Sequence, residues 1–117
     1  MAGILTRIES PVTLPSGVVL SVVQTKFLDP ELRLSKNFVL RELANNKAKE
    51  NIKAVLNPDV VEHIKMIQEL RDRIGECNVT SWYRTESFNA SCGGSKNSLH
   101  LKALATDIWF KKITICL

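Results

Sequence analysis

One segment of this chain has the full signature of a long amphipathic helix, and it limits the folds open to the rest. Asn57 is a good N-cap, and Pro58 suits the first helical position, where its missing N–H costs nothing. Gly75 is a natural helix stop. Apolar residues recur between them at helical spacing: Val60, Ile64, Ile67, Leu70 and Ile74. A helix with one apolar face must bury that face against another layer of structure.

The sequence on either side of this helix predicts the strands of that layer. Residues 18–23 are mostly β-branched, and Cys77 to Trp82 and Ala105 to Phe110 have the composition of strands. We therefore predict a single α+β domain in which helices pack on one face of a small, largely antiparallel sheet. The long helix is expected to cover the sheet through its apolar face and to contact the strand at Val79.

The remaining segments are shorter and their prediction is more local. Short helices are expected from Leu40 to Asn45 and from Thr85 to Cys92, the second ended by Gly93. Residues 1–16 contain two prolines among small polar residues and are predicted to form an irregular arm. His63 lies on the long helix, where a histidine is usually a surface residue. A role for His63 as a metal ligand stays as the alternative.

Composition sets the class of protein. The chain has 117 residues, 44% hydrophobic and 24% charged, which is typical of one globular domain. Its net charge of +4 comes from scattered lysines and arginines, so a solvated basic face is favoured over a nucleic-acid partner. Three widely spaced cysteines predict neither a disulfide framework nor a metal knuckle. No secretory signal or membrane span is visible, which predicts a cytoplasmic protein as synthesised.

The segment from Ser98 to Asp107 contains the residues that point to chemistry. His100 and Asp107 are seven positions apart, and imidazole and carboxylate are both ligands of Zn²⁺. Asp107 begins an apolar stretch, where a carboxylate needs a partner because burying a bare charge is costly. On spacing alone, a surface histidine and an aspartate at a strand end is the favoured interpretation, because such pairs occur by chance in many proteins.

The residues around this pair resemble a known motif. The pattern Ser98-x-His100-x-x-Ala103-x-Ala105-x-Asp107 is similar to the first metal-binding motif of the zinc D-alanyl-D-alanine carboxypeptidases, the superfamily that also contains the Hedgehog signalling domain. That motif reads Ser-x-His-x-x-Gly-x-Ala-x-Asp. The chain departs from it at Ala103, where the family usually has glycine.

A second stretch also resembles this family. Ser81-Trp82-Tyr83-Arg84-Thr85 is similar to its Ser-Gly-Tyr-Arg-Ser turn, with Trp82 in place of the usual glycine. The segment from Leu34 to Leu43 resembles the opening of the cell-wall peptidase branch. The resemblance extends from about Leu34 to Phe110, which divides the chain into an N-terminal arm and strand, residues 1–33, and a peptidase-like domain, residues 34–117.

The resemblance implies a role for each matching residue. His100 and Asp107 would bind zinc, and Arg84 would bind substrate and stabilise the oxyanion during catalysis. Ser98 and Tyr83 would lie next to the metal ligands and orient them without binding the metal themselves. The family's third metal ligand and general base are unknown here, because no histidine follows His100 and no acidic residue follows Asp107.

The implied function is a zinc peptidase that cleaves peptidoglycan stem peptides, of D-Ala-D-Ala carboxypeptidase or phage endolysin type, with zinc held weakly. The tail from Lys111 to Leu117 resembles the start of the family's next helix. Cys116 is a further candidate zinc ligand, although the family uses histidine at that point. Three explanations for the incomplete ligand set stay open: a fragment of a longer enzyme, a neighbouring chain that completes the site, or an inactive module that binds cell walls or serves in a phage virion. Release at lysis or carriage in a virion would bring such a protein to its substrate.

Overall fold

The computed structural model describes residues 3–44, 53–111 and 114–116. Within them the chain forms eight strands, three α-helices and a 3₁₀ turn at Leu99–Lys102. The strands are β1 (Ile4–Ile8), β2 (Val12–Thr13), β3 (Val19–Leu20), β4 (Gln24–Leu28), β5 (Lys53–Leu56), β6 (Cys77–Ser81), β7 (Asp107–Phe110) and β8 (Thr114–Cys116). The helices are α1 (Leu40–Leu43), α2 (Pro58–Ile74) and α3 (Glu86–Ser91).

The first sheet has β1 at its centre. Its strand order is β4-β1-β5, with β1 antiparallel to β4 and parallel to β5. Ile4, Thr6 and Ile8 are buried while the residues between them are less so, as the alternation of a strand with one covered face requires. The Thr6 hydroxyl donates to the Ile4 carbonyl oxygen at 2.9 Å, which satisfies the one polar group on that face.

Helix α2 has the bounds that the sequence predicts and packs against β5 of this sheet and against β2. Asn57 Oδ1 accepts a hydrogen bond from the Val60 N–H at 2.9 Å, and Gly75 ends the helix with a φ of 109°. Val60, Ile64 and Ile67 are fully buried and lie in one core cluster with Val79. Leu70 and Ile74 are partly buried and pack against that cluster.

Two further sheets are antiparallel: β2 pairs with β3, and three strands form a sheet with the order β6-β7-β8. A register shift between Val79 and Ser81 marks a bulge in β6, next to the point where Ser81 pairs with Asp107. Helix α1 contacts the end of β6, where the Tyr83 N–H donates to the Leu43 carbonyl oxygen at 2.9 Å. One core joins helices with strands of all three sheets, which confirms the α+β prediction, although the described strands form three small sheets and not one.

The N-terminal prediction was wrong. Residues 4–8 form the central strand of the first sheet and residues 12–13 form β2, so this segment is not an irregular arm. The single strand expected over residues 18–23 is only the two-residue β3, which pairs with β2, and β4 follows separately. Strand pairing between β1 and β5 joins residues about fifty positions apart, and no local pattern reports it.

Several boundaries also differ from prediction. Helix α1 ends at Leu43, and Asn45 lies outside the described residues. The predicted strand from Ala105 begins only at Asp107. The tail resembling the start of a helix instead contains β8, which pairs with β7. No described helix is both long enough and apolar enough to cross a bilayer.

Candidate metal centre

The 3₁₀ turn Leu99–Lys102 carries His100. The Ser98 hydroxyl oxygen accepts a hydrogen bond from the His100 N–H at 3.3 Å and so caps the start of the turn. Ala103 ends it with a φ of 59°, in the left-handed region that residues with a side chain rarely adopt. This conformation explains in physical terms why glycine is usual at that position of the motif.

Three hydrogen bonds tie the turn to the segment that carries Arg84. His100 Nδ1 lies 2.8 Å from the Trp82 carbonyl oxygen, and the Arg84 N–H donates to the His100 carbonyl oxygen at 2.9 Å. The indole N–H of Trp82 donates to the Ala103 carbonyl oxygen at 2.9 Å. The two motifs recognised in the sequence therefore form one structural unit, held at both ends of the turn.

The structure brings His100 and Asp107 together. His100 Nε2 lies 3.5 Å from Asp107 Oδ1. The Trp82 carbonyl oxygen can only accept, so His100 Nδ1 carries the hydrogen, and in a neutral ring Nε2 presents its lone pair to the carboxylate. Two electron-pair donors that face each other are stabilised by a cation shared between them, or by protonation of the ring.

The spacing of these two atoms fits zinc. Bonds of about 2.0–2.1 Å at tetrahedral angles place two zinc ligands roughly 3.3 Å apart. The observed separation of 3.5 Å is close to that value. The His100 side chain is 8% exposed and the Asp107 side chain 29%, so the pair is held by the core and open to solvent on one side. His100 and Asp107 therefore fit as two ligands of one zinc ion.

Arg84 lies beside the same carboxylate. Its Nη2 is 3.3 Å from Asp107 Oδ2, its Nε donates to Ser81 Oγ at 3.1 Å, and its Nη1 lies 3.5 Å from Asn89 Oδ1. Only 16% of the Arg84 side chain is exposed. Arg84 and Asp107 line a small open cleft of about 160 Å³, together with Phe88 of α3. A positive group thus faces the space next to the candidate ligands.

Asn89 of α3 helps to hold Arg84 in place, because its side-chain oxygen contacts the Arg84 guanidinium. It is buried, and its amide donates to the Ser95 carbonyl oxygen at 2.8 Å. Gly94 packs so closely on the Asn89 amide that a Cβ at position 94 would collide with it. The loop after α3 therefore needs glycine at this position for packing, since the φ of Gly94 is ordinary.

His63 corrects the prediction of a helix-surface residue. It is 8% exposed, its Nε2 lies 2.7 Å from Thr106 Oγ1, and its ring meets the Trp82 ring edge-on at 5.8 Å. Burial, and to a smaller extent the nearby His100, lower the pKa of His63 to about 4. His63 falls three residues after Val60 and four before Ile67, so helical spacing could have placed it on the buried face.

The other two predicted site residues, Ser98 and Tyr83, have different surroundings. Ser98 contacts the backbone of His100 as a cap, and Tyr83 is buried in the core cluster. Among the side chains that the structure describes, which exclude that of Cys116, no cluster of three His, Cys, Asp or Glu residues could hold a metal ion. Cys116 is the backbone register partner of Asp107 in the β7–β8 pair. The third ligand stays unassigned.

Comparison with known proteins gives the family. A family model described as Peptidase M15 matches residues 36–116, well over half of the chain and including both motifs. The chain therefore belongs to the Peptidase M15 family, which makes it a peptidase-like domain. No curated protein and no solved structure matches the chain.

Proposed function

We propose that this domain is a zinc-dependent peptidase that acts on peptidoglycan stem peptides, of D-Ala-D-Ala carboxypeptidase or endolysin type. The observation that carries the proposal is the 3.5 Å approach of His100 Nε2 to Asp107 Oδ1, with Nδ1 already committed to a backbone carbonyl. Membership of the Peptidase M15 family supports peptide hydrolysis. The cell-wall substrate rests on the resemblance of residues 34–43 to that branch of the family.

Each residue of the cleft has its own role in this proposal. His100 and Asp107 hold the metal, and the Trp82 carbonyl fixes the histidine ring so that Nε2 faces it. When bound, zinc polarises a substrate carbonyl and makes water a stronger nucleophile near neutral pH. Arg84 holds negative charge on the substrate, either a terminal carboxylate or the charge that develops on the carbonyl oxygen. Its bonds to Ser81 and Asn89 orient the guanidinium while the Asp107 contact is exchanged for substrate.

The test measures zinc content and muropeptide cleavage on the same preparation. His100→Ala and Asp107→Ala are each expected to abolish cleavage and reduce zinc binding, because each removes one of two ligands. Asp59→Ala removes an exposed carboxylate of α2 and serves as the control. If both ligand variants cleave as well as the parent, the site is elsewhere.

The source of a third ligand is tested by zinc titration. A two-residue site is expected to hold zinc weakly, so that dialysis against a weak chelator removes it. A neighbouring chain that supplies the missing ligand would make zinc affinity rise with protein concentration. Cys116→Ser, compared with Cys92→Ser, shows whether the cysteine at the register position of Asp107 contributes.

A second candidate function is a catalytically inactive module that binds cell walls or serves in a phage particle. It is favoured by the lack of a three-ligand cluster among the residues that the structure describes. Binding to purified cell walls without release of soluble product supports this function. Stoichiometric zinc together with hydrolysis refutes it.

A further inference from the structure

Trp82 occupies the position at which the resembled turn has glycine. In the candidate metal centre it forms hydrogen bonds with both His100 and Ala103. Its carbonyl oxygen accepts from His100 Nδ1 at 2.8 Å, and its indole N–H donates to the Ala103 carbonyl oxygen at 2.9 Å. Trp82 thus contacts both His100, the proposed metal ligand, and Ala103, the residue that follows the turn carrying His100. The Trp82 side chain is fully buried, so both bonds are shielded from competing water.

We propose that Trp82 is a positioning residue for His100, and that its indole N–H, by holding the end of the turn, keeps His100 in the tautomer and orientation that present Nε2 to the metal. This inference rests on the proposed metal-binding role of His100. It adds a residue that the resembled motifs do not contain, and assigns it a task separate from filling space.

The packing role and the hydrogen-bonding role of Trp82 can be separated. Its ring meets Phe38 edge-on at 6.3 Å and His63 at 5.8 Å, and any aromatic ring of similar size could make these contacts. Only the indole N–H reaches the Ala103 carbonyl. Removing the N–H while keeping the ring leaves a fully buried residue, Ala103, with an unsatisfied carbonyl oxygen, and the turn must shift to satisfy it.

The geometry of the turn explains why such a hold matters. Four residues separate Ser98 from Ala103, and the φ of 59° at Ala103 is one that alanine adopts only when the surroundings impose it. If the Ala103 carbonyl were free, the turn could relax towards an ordinary backbone conformation. Such relaxation would move His100 relative to the Trp82 carbonyl, and its Nδ1 would lose the acceptor that selects its tautomer.

The first experiment reads the tautomer in the metal-free chain. In a ¹⁵N-labelled sample, the two ring nitrogens of His100 report by NMR which of them carries the hydrogen. The parent is expected to show the single Nδ1–H tautomer. Trp82→Phe is expected to show a mixture of both tautomers. Trp109→Phe alters the exposed tryptophan of β7 and is the matched control, expected to match the parent.

A second substitution keeps the experiment decisive if Trp82→Phe fails to fold. In the Trp109→Phe background, the remaining tryptophan is replaced by 3-benzothienylalanine, which has the shape of tryptophan with sulfur in place of N–H. Packing is then preserved and only the donor is lost. The mixed tautomer is expected here too. A single Nδ1–H tautomer in this variant overturns the proposal.

Zinc affinity gives an independent measure by competition with a chromophoric chelator. Loss of the indole N–H is expected to weaken zinc binding about 10-fold or more, the usual effect of disturbing a group that orients a ligand. Affinity equal to that of the parent, with the donor gone, overturns the proposal. If neither parent nor variant binds zinc, the proposed metal function fails, while the tautomer measurement still decides the role of Trp82.

Discussion

The indole N–H of Trp82 lies 2.9 Å from the carbonyl oxygen of Ala103, so the two positions at which the resembled motifs usually have glycine and this chain does not are bonded to each other. Tryptophan fills the space behind the turn and supplies a donor, and alanine accepts the left-handed conformation that the turn needs. The two departures are structurally coupled, because the second offers its carbonyl to the first.

The first prediction concerns the conformation of Ala103. Ala103→Gly is expected to leave the free energy of unfolding nearly unchanged, within about 0.5 kcal/mol of the parent. Relief of left-handed strain gains about 1–2 kcal/mol, whereas loss of the buried methyl costs about 0.8 kcal/mol and the greater entropy of glycine in the unfolded chain costs about 0.5–1 kcal/mol. Urea denaturation measures the difference. Ala54→Gly, at a buried β5 position without positive φ, is the control and is expected to lose at least about 1 kcal/mol. A loss for Ala103→Gly as large as that for Ala54→Gly would contradict the argument.

The second prediction uses the buried histidine. The pKa of His63 is lowered from 6.5 to about 4, so the unfolded chain binds more protons than the folded chain between these values. The free energy of unfolding therefore decreases as the pH falls below about 6.5, by about 1.4 kcal/mol per pH unit for this residue. We expect the stability of the parent, relative to His63→Gln, to fall by about 2 kcal/mol between pH 7 and pH 5.

The measurement is urea denaturation of both chains at a series of pH values in the presence of a chelator. Carboxylates titrate similarly in both chains, so the difference isolates His63. A difference that does not change with pH would show that His63 is not held neutral by burial.

Helix α2 could be predicted from the sequence because its signals are local. The cap at Asn57, the stop at Gly75 and the apolar spacing between them all lie within the element, and the structure matches them residue for residue. Strand β1 could not, because its alternation of Ile4, Thr6 and Ile8 is short and its partners lie far along the chain. Pairing over such distances leaves little trace in a local window.

The candidate site was predictable to a similar extent. The proximity of His100, Asp107 and Arg84 was implied by the family resemblance, and the structure shows it, although their chemical roles stay predictions. The hydrogen bond between Trp82 and Ala103 joins residues 21 positions apart. Both residues stand where the resembled motifs usually have glycine, so the resemblance could not predict this bond. His63 was misjudged because a polar ring was assumed to face solvent, although Thr106 gives it a buried partner.

The third prediction concerns the loop behind Arg84. Gly94→Ala places a Cβ against the buried Asn89 amide, which must move and so release Ser95 and Arg84. We expect a loss of about 2 kcal/mol or more in the free energy of unfolding, since hydrogen bonds of a buried group break. Gly93→Ala is the control. Its Cβ meets no atom, and only its φ of 71° is penalised, by about 1 kcal/mol.

Thermal or urea denaturation of the two alanine variants measures the difference. Equal losses for Gly93→Ala and Gly94→Ala would show that Asn89 adjusts without cost. In that case the contact between Asn89 and Arg84 would contribute nothing measurable to the free energy of unfolding.

The last prediction separates metal binding from catalysis at Arg84. In the structure its Nη2 lies 3.3 Å from Asp107 Oδ2, so the guanidinium competes with a metal cation for the same carboxylate and raises the local positive potential. Arg84→Ala is expected to tighten zinc binding roughly threefold or more while abolishing cleavage of muropeptides. Arg84→Lys retains the charge and is expected to bind zinc as the parent does, with cleavage reduced because the two-pronged geometry is lost. Chelator competition and product analysis on the same samples measure both effects. Weaker zinc binding by Arg84→Ala would mean that Arg84 orients Asp107 for the metal, and unchanged cleavage would remove Arg84 from the proposed mechanism.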